Sequence, residues 1–333
     1  MRSNTAIVIL NWNGSELLKR FLPSILKNSA EAQVYVIDNG STDNSIETLH
    51  SDFKEVQVIA LDKNYGFAGG YNEGLKSVNE SILCLLNSDV RVEENWIEPV
   101  IDLFKNPEIG IVQPKILDEK NPEFFEYAGA AGGFIDFLGY PYCRGRLFSH
   151  IEKDNGQYDD EIPVFWATGA CLFIRNELFK ELRGFDDRYF AHQEEIDLCW
   201  RAQRMGYQVW YTSKSKVFHL GGSTLSNANP FKTQLNFRNS LLNIVKNSND
   251  QLLWFIIGVR LILDGVAGLF FLIQGKPKHT IAIVKAHFQF YTRFRTYLSE
   301  RTNSFNTTVK PVKRAIVFDY YIKGNRSEEH TSE

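Results

Sequence analysis

The stretch SILCLLNSDVRVEENW, residues 81–96, decides how this chain reads. Ser81 to Leu86 is a short, almost wholly apolar run, the mark of a strand buried on both faces. Asn87-Ser88-Asp89 closes it. Glu93 and Glu94 then suit the opening turn of a helix, ENWIEPVIDLF. A carboxylate at the C-terminal tip of a buried strand stands where an open α/β sheet binds its ligand. Hard oxygen ligands at that point can hold Mg²⁺ or Mn²⁺ against a diphosphate.

Outward from this stretch the same alternation repeats. TAIVILNW (5–12), QVYVID (33–38) and VQVIAL (56–61) read as strands. SELLKRFLPSILKN (15–28) is amphipathic, with Leu17, Leu18, Phe21, Leu22 and Ile25 on one stripe. NGSTDNS (39–45) is a polar loop, and Asp43 or Asn44 can cap the helix after it. FAGGYNEGLKSV is a glycine-bearing helix, and IGIVQP (109–114) a fifth strand. Repeated βα units predict an α/β fold with a mostly parallel sheet flanked by helices.

From about 115 to 163 the pattern breaks. PEFFEYAGAAGGFIDFLGYPYCRGRLF is aromatic and Gly-rich without a clean period, an insertion or hairpin region near the site. PVFWATGACLFIRNELF (163–179) gives a strand and a helix start, and EEIDLCWRAQRMG (194–206) a helix ended by Gly206. YQVWYTS and KVFHLGG read as two short strands.

Residues 235–300 are of another kind, a C-terminal helical extension to a domain spanning 1–234. LNFRNSLLNIVKNS is helical, and LLWFIIGVRLILDGVAGLFFLI (252–273) is long enough to span a bilayer. Arg260 and Asp264 in its middle argue against a span. KPKH, Lys285, Arg293 and Arg295 among aromatics look like a basic amphipathic face. The reading is helices lying in the membrane interface, with a soluble helical subdomain and a true span as the alternatives. Residues 301–333 form a tail, its last ten or so unpatterned and expected to be disordered.

Composition removes other classes. A net charge of −3 gives no electrostatic case for nucleic acid. With 44% apolar residues, global disorder is excluded. Cys84, Cys143, Cys171 and Cys199 form no CxxC pair and no zinc spacing, and read as reduced, buried cysteines of an intracellular protein. The apolar run in MRSNTAIVILNWNG is too short for a secretory signal and reads as a strand.

IVILNWNG, VIDNGSTDNS, NYGFAGGYNEG, LLNSD, TGACLFIRNELFKELRGFDDRYFAHQEEIDLCWR and VFHLGGST together resemble the family 2 glycosyltransferases, most of all their rhamnosyltransferase-like branch. The resemblance covers roughly residues 4–245; LNFRNSLLNIVKN looks like the family's RN…KN helix. It implies a GT-A fold (nucleotide-diphospho-sugar transferase) and inverting transfer of rhamnose or a similar sugar from a dTDP- or UDP-sugar. The implied acceptor is a hydroxyl of a glycan or polyprenyl-linked carrier. The implied place is cytoplasmic, peripheral on the inner membrane surface. A sugar-nucleotide nucleotidyltransferase would want a basic GxGxR-type loop after the first strand, and NWNGSEL has none. A catalytically impaired sugar-nucleotide-binding or scaffold protein of the same fold remains the alternative, because Asn87 replaces the first acid of the family's DxD.

The resemblance also implies roles. Asp38 reads the uracil or thymine imide N–H, with Asn11, Asn13, Asn39 and Gly40 around it. Asn64, Gly66, Gly69 and Asn72 line the nucleotide pocket, with Asn87 and Ser88 beside the diphosphate. Asp89 and His219 hold the divalent metal, Mn²⁺ or Mg²⁺. Glu195, or its neighbour Glu194, is the general base, with Glu where the family usually has Asp. Trp166, Thr168, Gly169 and Asp197 are the acceptor side, and Trp166 could stack on a sugar face.

Overall fold

In the computed structural model, which describes residues 4–221, 229–248, 252–301 and 309–327, the βα alternation is realised almost as the sequence predicts. The elements run β1 (Thr5–Asn11), α1 (Ser15–Lys27), β2 (Gln33–Asp38), α2 (Ser45–Asp52), β3 (Gln57–Ala60), α3 (Gly66–Gly74), β4 (Ile82–Asn87), β5 (Val90–Val92), α4 (Glu98–Leu103) and β6 (Ile109–Asp118). Then come β7 (Gly133–Ile135), β8 (Pro141–Cys143), β9 (Arg146–Leu147), β10 (His150–Ile151), β11 (Glu161–Pro163), β12 (Cys171–Arg175), α5 (Asn176–Glu181), α6 (Glu194–Arg204) and β13 (Gln208–His219). The chain closes with α7 (Pro230–Asn247), α8 (Leu253–Ile273), α9 (Pro277–Ser299) and α10 (Ile316–Tyr321).

The main sheet runs β11-β13-β6-β12-β4-β1-β2-β3, with β5 paired to β13. β1 is parallel to both β2 and β4, and β6 to β13, while β12 runs antiparallel between β4 and β6. The C-terminal ends of β1, β2, β4 and β13 therefore share one rim, and the strand order turns back at β1. That is the switch point at which open α/β sheets bind ligands.

Strand alternation explains the two cores. Ile7 and Ile9 of β1 face Leu18, Leu22 and Ile25 of α1, while Ala6 and Val8 face Ala68 and Tyr71 of α3. Each fully buried side chain of this size contributes about 1.5–3 kcal/mol. β7 to β10 form a separate four-stranded antiparallel sheet inside the aromatic, Gly-rich region.

Three readings change. Glu93 and Glu94 do not open a helix: β5 occupies 90–92, and α4 starts at Glu98 with Pro99 in its first turn. YQVWYTS and KVFHLGG are one strand, β13, whose register against β6 shifts between Thr212 and Lys216. The helix expected to begin the extension starts at Pro230, so a boundary at 234/235 falls inside α7. The extension also packs on the domain, where Leu138 and Tyr189 share a core with α7, α8 and α9. The reading of the last ten residues as disordered falls mostly on 328–333, and the GST of VFHLGGST on 222–224, both outside the described residues.

Among the described residues, α8 alone is long and apolar enough to cross a membrane. Its two charges face inward. Arg260 is buried, donating to the Leu138 carbonyl at 2.9 Å and to Ser240 Oγ at 2.9 Å, with its guanidinium 3.8 Å from the Tyr140 ring centre. Asp264 accepts from His287 at 3.1 Å. The outward face carries Trp254, Phe255, Ile262, Val266, Leu269 and Ile273, all exposed.

Candidate active site

The loops beyond β1 and β2 are knitted by short polar side chains. Asn11 Nδ2 donates to Asp38 Oδ1 at 3.0 Å and to Ser41 Oγ at 3.3 Å, and the Ser41 N–H donates to Asp38 Oδ2 at 3.0 Å. Asp38 is fully buried, so in this conformation it presents no surface to a base and organises its own loop. Asn13, at φ 52°, accepts from the Thr42 N–H at 2.7 Å. Gly40 has φ +69°, and a Cβ there would lie 2.5 Å from the Lys63 carbonyl carbon, so only glycine fits.

Asn39 is almost fully buried, donating to the Gly66 carbonyl at 2.9 Å and to Asn64 Oδ1 at 3.1 Å. Asn64 in turn accepts from the Gly66 N–H at 2.7 Å. These amides tie the 39–45 loop to the start of α3. Asn72 clamps the backbone of Phe185, donating to its carbonyl at 2.8 Å and accepting from its N–H at 2.9 Å. Gly69 lies under Tyr65, 3.1 Å between its notional Cβ and that of Tyr65.

The strand tips of β4 and β13 meet. His219 Nε2 lies 3.1 Å from Asp89 Oδ1 and 3.2 Å from Asn87 Nδ2, and His219 Nδ1 lies 3.3 Å from Glu126 Oε1. Asp89 and His219 are both buried, and Ser88 is half-buried beside them. Burial alone would lower the imidazole, but its hydrogen bonds to Asp89 and Glu126 push it up to about 10. Glu126 carries no signal in the sequence, because it sits in the segment without a period.

A divalent cation is tested by this donor set. Asp89 Oδ1 and His219 Nε2, 3.1 Å apart, are near enough to share one cation once the imidazole gives up the proton it now directs at Asp89. Imidazole with carboxylate favours Mn²⁺ over Mg²⁺. Among the described residues no group of three or more His, Cys, Asp or Glu is arranged to hold a metal, so the remaining positions would fall to donor phosphates and water.

On the other side of the rim, α6 opens with Glu194, Glu195 and Asp197. Glu194 Oε2 and Glu195 Oε2 are buried atoms without hydrogen-bond partners. Burial, against opposing backbone N–H groups, pushes Glu195 up to about 7. Glu194 is driven well above the ordinary carboxylate range by burial and by the charge of Glu195. Asp197 is tied into the protein's interior. Burial would raise it, but Arg201 and Lys246 hold it at about 2. It is fully buried, taking bonds from Arg201 at 2.7 Å, Lys246 at 3.0 Å and Asn247 at 2.8 Å.

Trp166 is also buried, its ring over Gly133 and its Nε1 donating to the Phe134 carbonyl at 2.9 Å, so it has no face open for stacking on a sugar. Thr168 is buried, with its N–H on Gln113 Oε1 at 2.9 Å; Gly169 is half-buried against Phe67. These residues still connect the two halves of the rim. The Asn87 N–H donates to the Ala170 carbonyl at 3.0 Å, and the Ala167 N–H reaches Cys199 Sγ of α6 at 3.4 Å. Gly66 has φ +74°, and a Cβ there would lie 3.2 Å from the Phe190 carbonyl oxygen just before α6.

This sheet order with a ligand rim at β1 and β4 is a nucleotide-sugar transferase fold of the GT-A type. Solved structures agree. A mannosyltransferase from Pyrobaculum calidifontis, in complex with GDP-Man and Mn²⁺, superposes with TM-score 0.55 at 13% identity, covering 90% of this chain and 84% of that one. GalNAc-T7 with UDP, GalNAc and Mn²⁺ gives TM-score 0.55 at 17% identity, covering 73% of this chain and 47% of that one.

The chain belongs to glycosyl transferase family 2, whose model matches residues 6–183, and it is a glycosyltransferase. It is 26% identical over 233 residues to the N-acetylglucosaminyl-diphospho-decaprenol L-rhamnosyltransferase of Mycobacterium tuberculosis, 64% of this chain and 75% of that protein. It is 23% identical over 268 residues to the low-salt glycan biosynthesis hexosyltransferase Agl10 of Haloferax volcanii, 78% of this chain and 82% of that protein. It therefore sits with the rhamnosyltransferase-like branch.

Proposed function

We propose that this chain is an inverting glycosyltransferase that moves rhamnose or a similar sugar from a dTDP- or UDP-linked donor to a hydroxyl of a lipid-linked glycan. The observation that carries the reading is Glu195, whose Oε2 is buried without a hydrogen-bond partner at the start of α6, the helix that leads into β13 and its terminal His219. A carboxylate pushed up to about 7 is matched to taking a proton near neutral pH. Glu195 takes the acceptor hydroxyl proton as that oxygen bonds to the anomeric carbon. The bond from this carbon to the diphosphate oxygen breaks in the same step. A divalent cation held by Asp89 and His219, with Asn87 and Ser88 beside it, would supply charge neutralisation for the departing nucleoside diphosphate.

The inward charges and outward apolar face of α8 support a place on the cytoplasmic membrane surface, where a polyprenyl-linked acceptor would be presented. Lys276, Lys278, Lys285 and Arg295 are exposed on and beside the adjoining α9, the sign that anionic headgroups attract. The relatives and solved neighbours support the donor class, because their own names carry a rhamnosyltransferase, UDP and GDP-Man.

The test is a thermal-shift and calorimetric screen of dTDP- and UDP-sugars with and without Mn²⁺. A ligand of the native state raises apparent stability by about 2.7 kcal/mol at a hundred times its Kd. Stabilisation by one nucleotide sugar, strengthened by Mn²⁺, is expected. Stabilisation by none of them, at any metal concentration, rejects the donor class.

A further inference from the structure

We propose that Asn239 of α7 is a positioning residue for the catalytic base, so that the C-terminal helices form part of the catalytic apparatus. This rests on Glu195 being that base. The backbone that delivers Glu195 is strained. Phe190, His192 and Gln193 have φ of 69°, 68° and 75°, three non-glycine residues in the left-handed region within four positions. Such backbone persists only where its surroundings over-determine it. The Gln193 side chain makes no capping bond to α6, so the restraint comes from elsewhere.

It comes from one face of α7. Asn239 Nδ2 lies 3.2 Å from the Tyr189 carbonyl, 3.0 Å from that of Ala191 and 2.7 Å from that of His192. Its own Oδ1 accepts from Arg238 Nε at 2.7 Å, which fixes the amide's orientation. Arg238 Nη2 adds a bond to the Tyr189 carbonyl at 2.8 Å, and Asn243 Nδ2 takes the Gln193 carbonyl at 3.0 Å. Every carbonyl from 189 to 193 except that of Phe190 thus meets a donor from α7. One turn further, Lys246 and Asn247 hold Asp197 in the first turn of α6. Positions 239, 243, 246 and 247 recur at helical spacing, so one side of α7 templates the whole entry to α6.

Asn239 is fully buried. A buried amide costs free energy unless its hydrogen bonds are made, and here they are made to the segment that carries Glu195. Without the amide, the Ala191 and His192 carbonyls lose this donor, that of Tyr189 is left to Arg238, and the left-handed run loses much of what over-determines it. The base then moves relative to the rim, while the donor-side loops at Asn11, Asn39 and Asp89, built on other elements, stay in place.

The experiment compares full-length Asn239→Ala, Leu241→Ala and Glu195→Gln. Leu241 is a fully buried neighbour on α7 that makes none of these bonds, and it serves as the stability control. For Asn239→Ala, kcat falls by about 10²-fold, the effect of an ångström-scale misplacement, with nucleotide-sugar Kd unchanged. The acidic limb of its kcat–pH profile moves to lower pH, because a displaced Glu195 is better solvated. Leu241→Ala loses thermal stability to a similar extent but keeps its kcat and its pH limb. The proposal is overturned if Asn239→Ala keeps parental kcat, or if Leu241→Ala loses kcat equally. Where Asn239→Ala does not fold, Asn243→Ala, which removes the side-chain donor to the Gln193 carbonyl and the acceptor of the Tyr189 hydroxyl and of Asn247 Nδ2, carries the same comparison with a smaller loss. An inactive Glu195→Gln beside a fully active Asn239→Ala sinks the positioning role alone. A fully active Glu195→Gln sinks the base assignment and this proposal with it.

Discussion

Arg260 and Asp264 lie one turn apart on α8, 3.9 Å between Nε and Oδ1, and both point into the protein. A helix on a water-soluble surface has the opposite arrangement, charges out and apolar side chains in. Here Ile262 and Val266, 69% and 59% exposed, stand on the side turned away. The double variant Ile262→Glu/Val266→Glu should fold as the parent does, because exposed positions away from special features tolerate change within about 0.5 kcal/mol. It should lose co-sedimentation with anionic phospholipid vesicles that the parent shows. A parent that stays in the supernatant with such vesicles leaves the apolar face without a membrane role.

Glu195→Gln keeps the shape of the side chain and removes its proton acceptor. Turnover should fall ~10²–10⁴-fold while donor affinity survives, measured by calorimetry beside initial rates. The sign of the pH effect follows from burial. Glu195 is pushed up to about 7 from the ordinary glutamate value of 4.5, so it is protonated and idle at pH 5–6. Parental kcat should therefore rise with pH through about 7. Stability moves the other way: the folded protein holds this proton where the unfolded chain has released it, so this group's contribution is lost as pH climbs from 4.5 to about 7. A kcat profile flat from pH 5 to 8 would refute the assignment.

Asp89→Asn tests the cation site. It removes one charge beside His219 without changing volume, and turnover should drop on the order of 10²-fold, as when a single transition-state stabiliser is removed. The reverse change is more telling. Asn87→Asp places a second carboxylate 3.2 Å from the His219 ring and should lower the Mn²⁺ concentration needed for half-maximal activity. Manganese titration in chelator-buffered assays reads both. Equal metal requirement in all three proteins argues that the cation binds elsewhere.

How much of this was legible in the sequence depends on how far apart the interacting residues lie. The βα order was readable because each strand alternates between two cores, Ile7 and Ile9 on one side, Ala6 and Val8 on the other. The rim residues Asp89 and His219 were readable as polar ends of apolar runs. The internal partners of Asn72 and Asp197 were not, since they lie 113 and about 50 residues away and a polar residue in a string carries no sign of being already satisfied. Glu126 was hidden in a segment with no period. Arg260 marked the one place where the sequence resisted a transmembrane reading, and the reason is the Leu138 carbonyl, supplied by a distant hairpin. The RN…KN pattern of α7 was visible as a motif, yet its role needed the left-handed loop it grips.

Asp197 separates a structural from an acceptor-binding role most cleanly. Its carboxylate faces Arg201, Lys246 and Asn247 with no exposed surface. Breaking a buried pair by removing one partner typically costs 3–5 kcal/mol, because the other charges stay desolvated. Asp197→Ala should therefore lower the melting temperature steeply, and Asp197→Asn, which keeps the shape and part of the bonding, less so. Asp197 is held down at about 2, below the ordinary aspartate value of 3.8, so its stabilisation is present above pH 3.8 and drains away as pH falls towards 2. Acid unfolding of Asp197→Asn should lose that part of its pH dependence. Acceptor KM in the folded Asp197→Asn enzyme should match the parent. A raised acceptor KM with an unchanged melting temperature would return Asp197 to the substrate side.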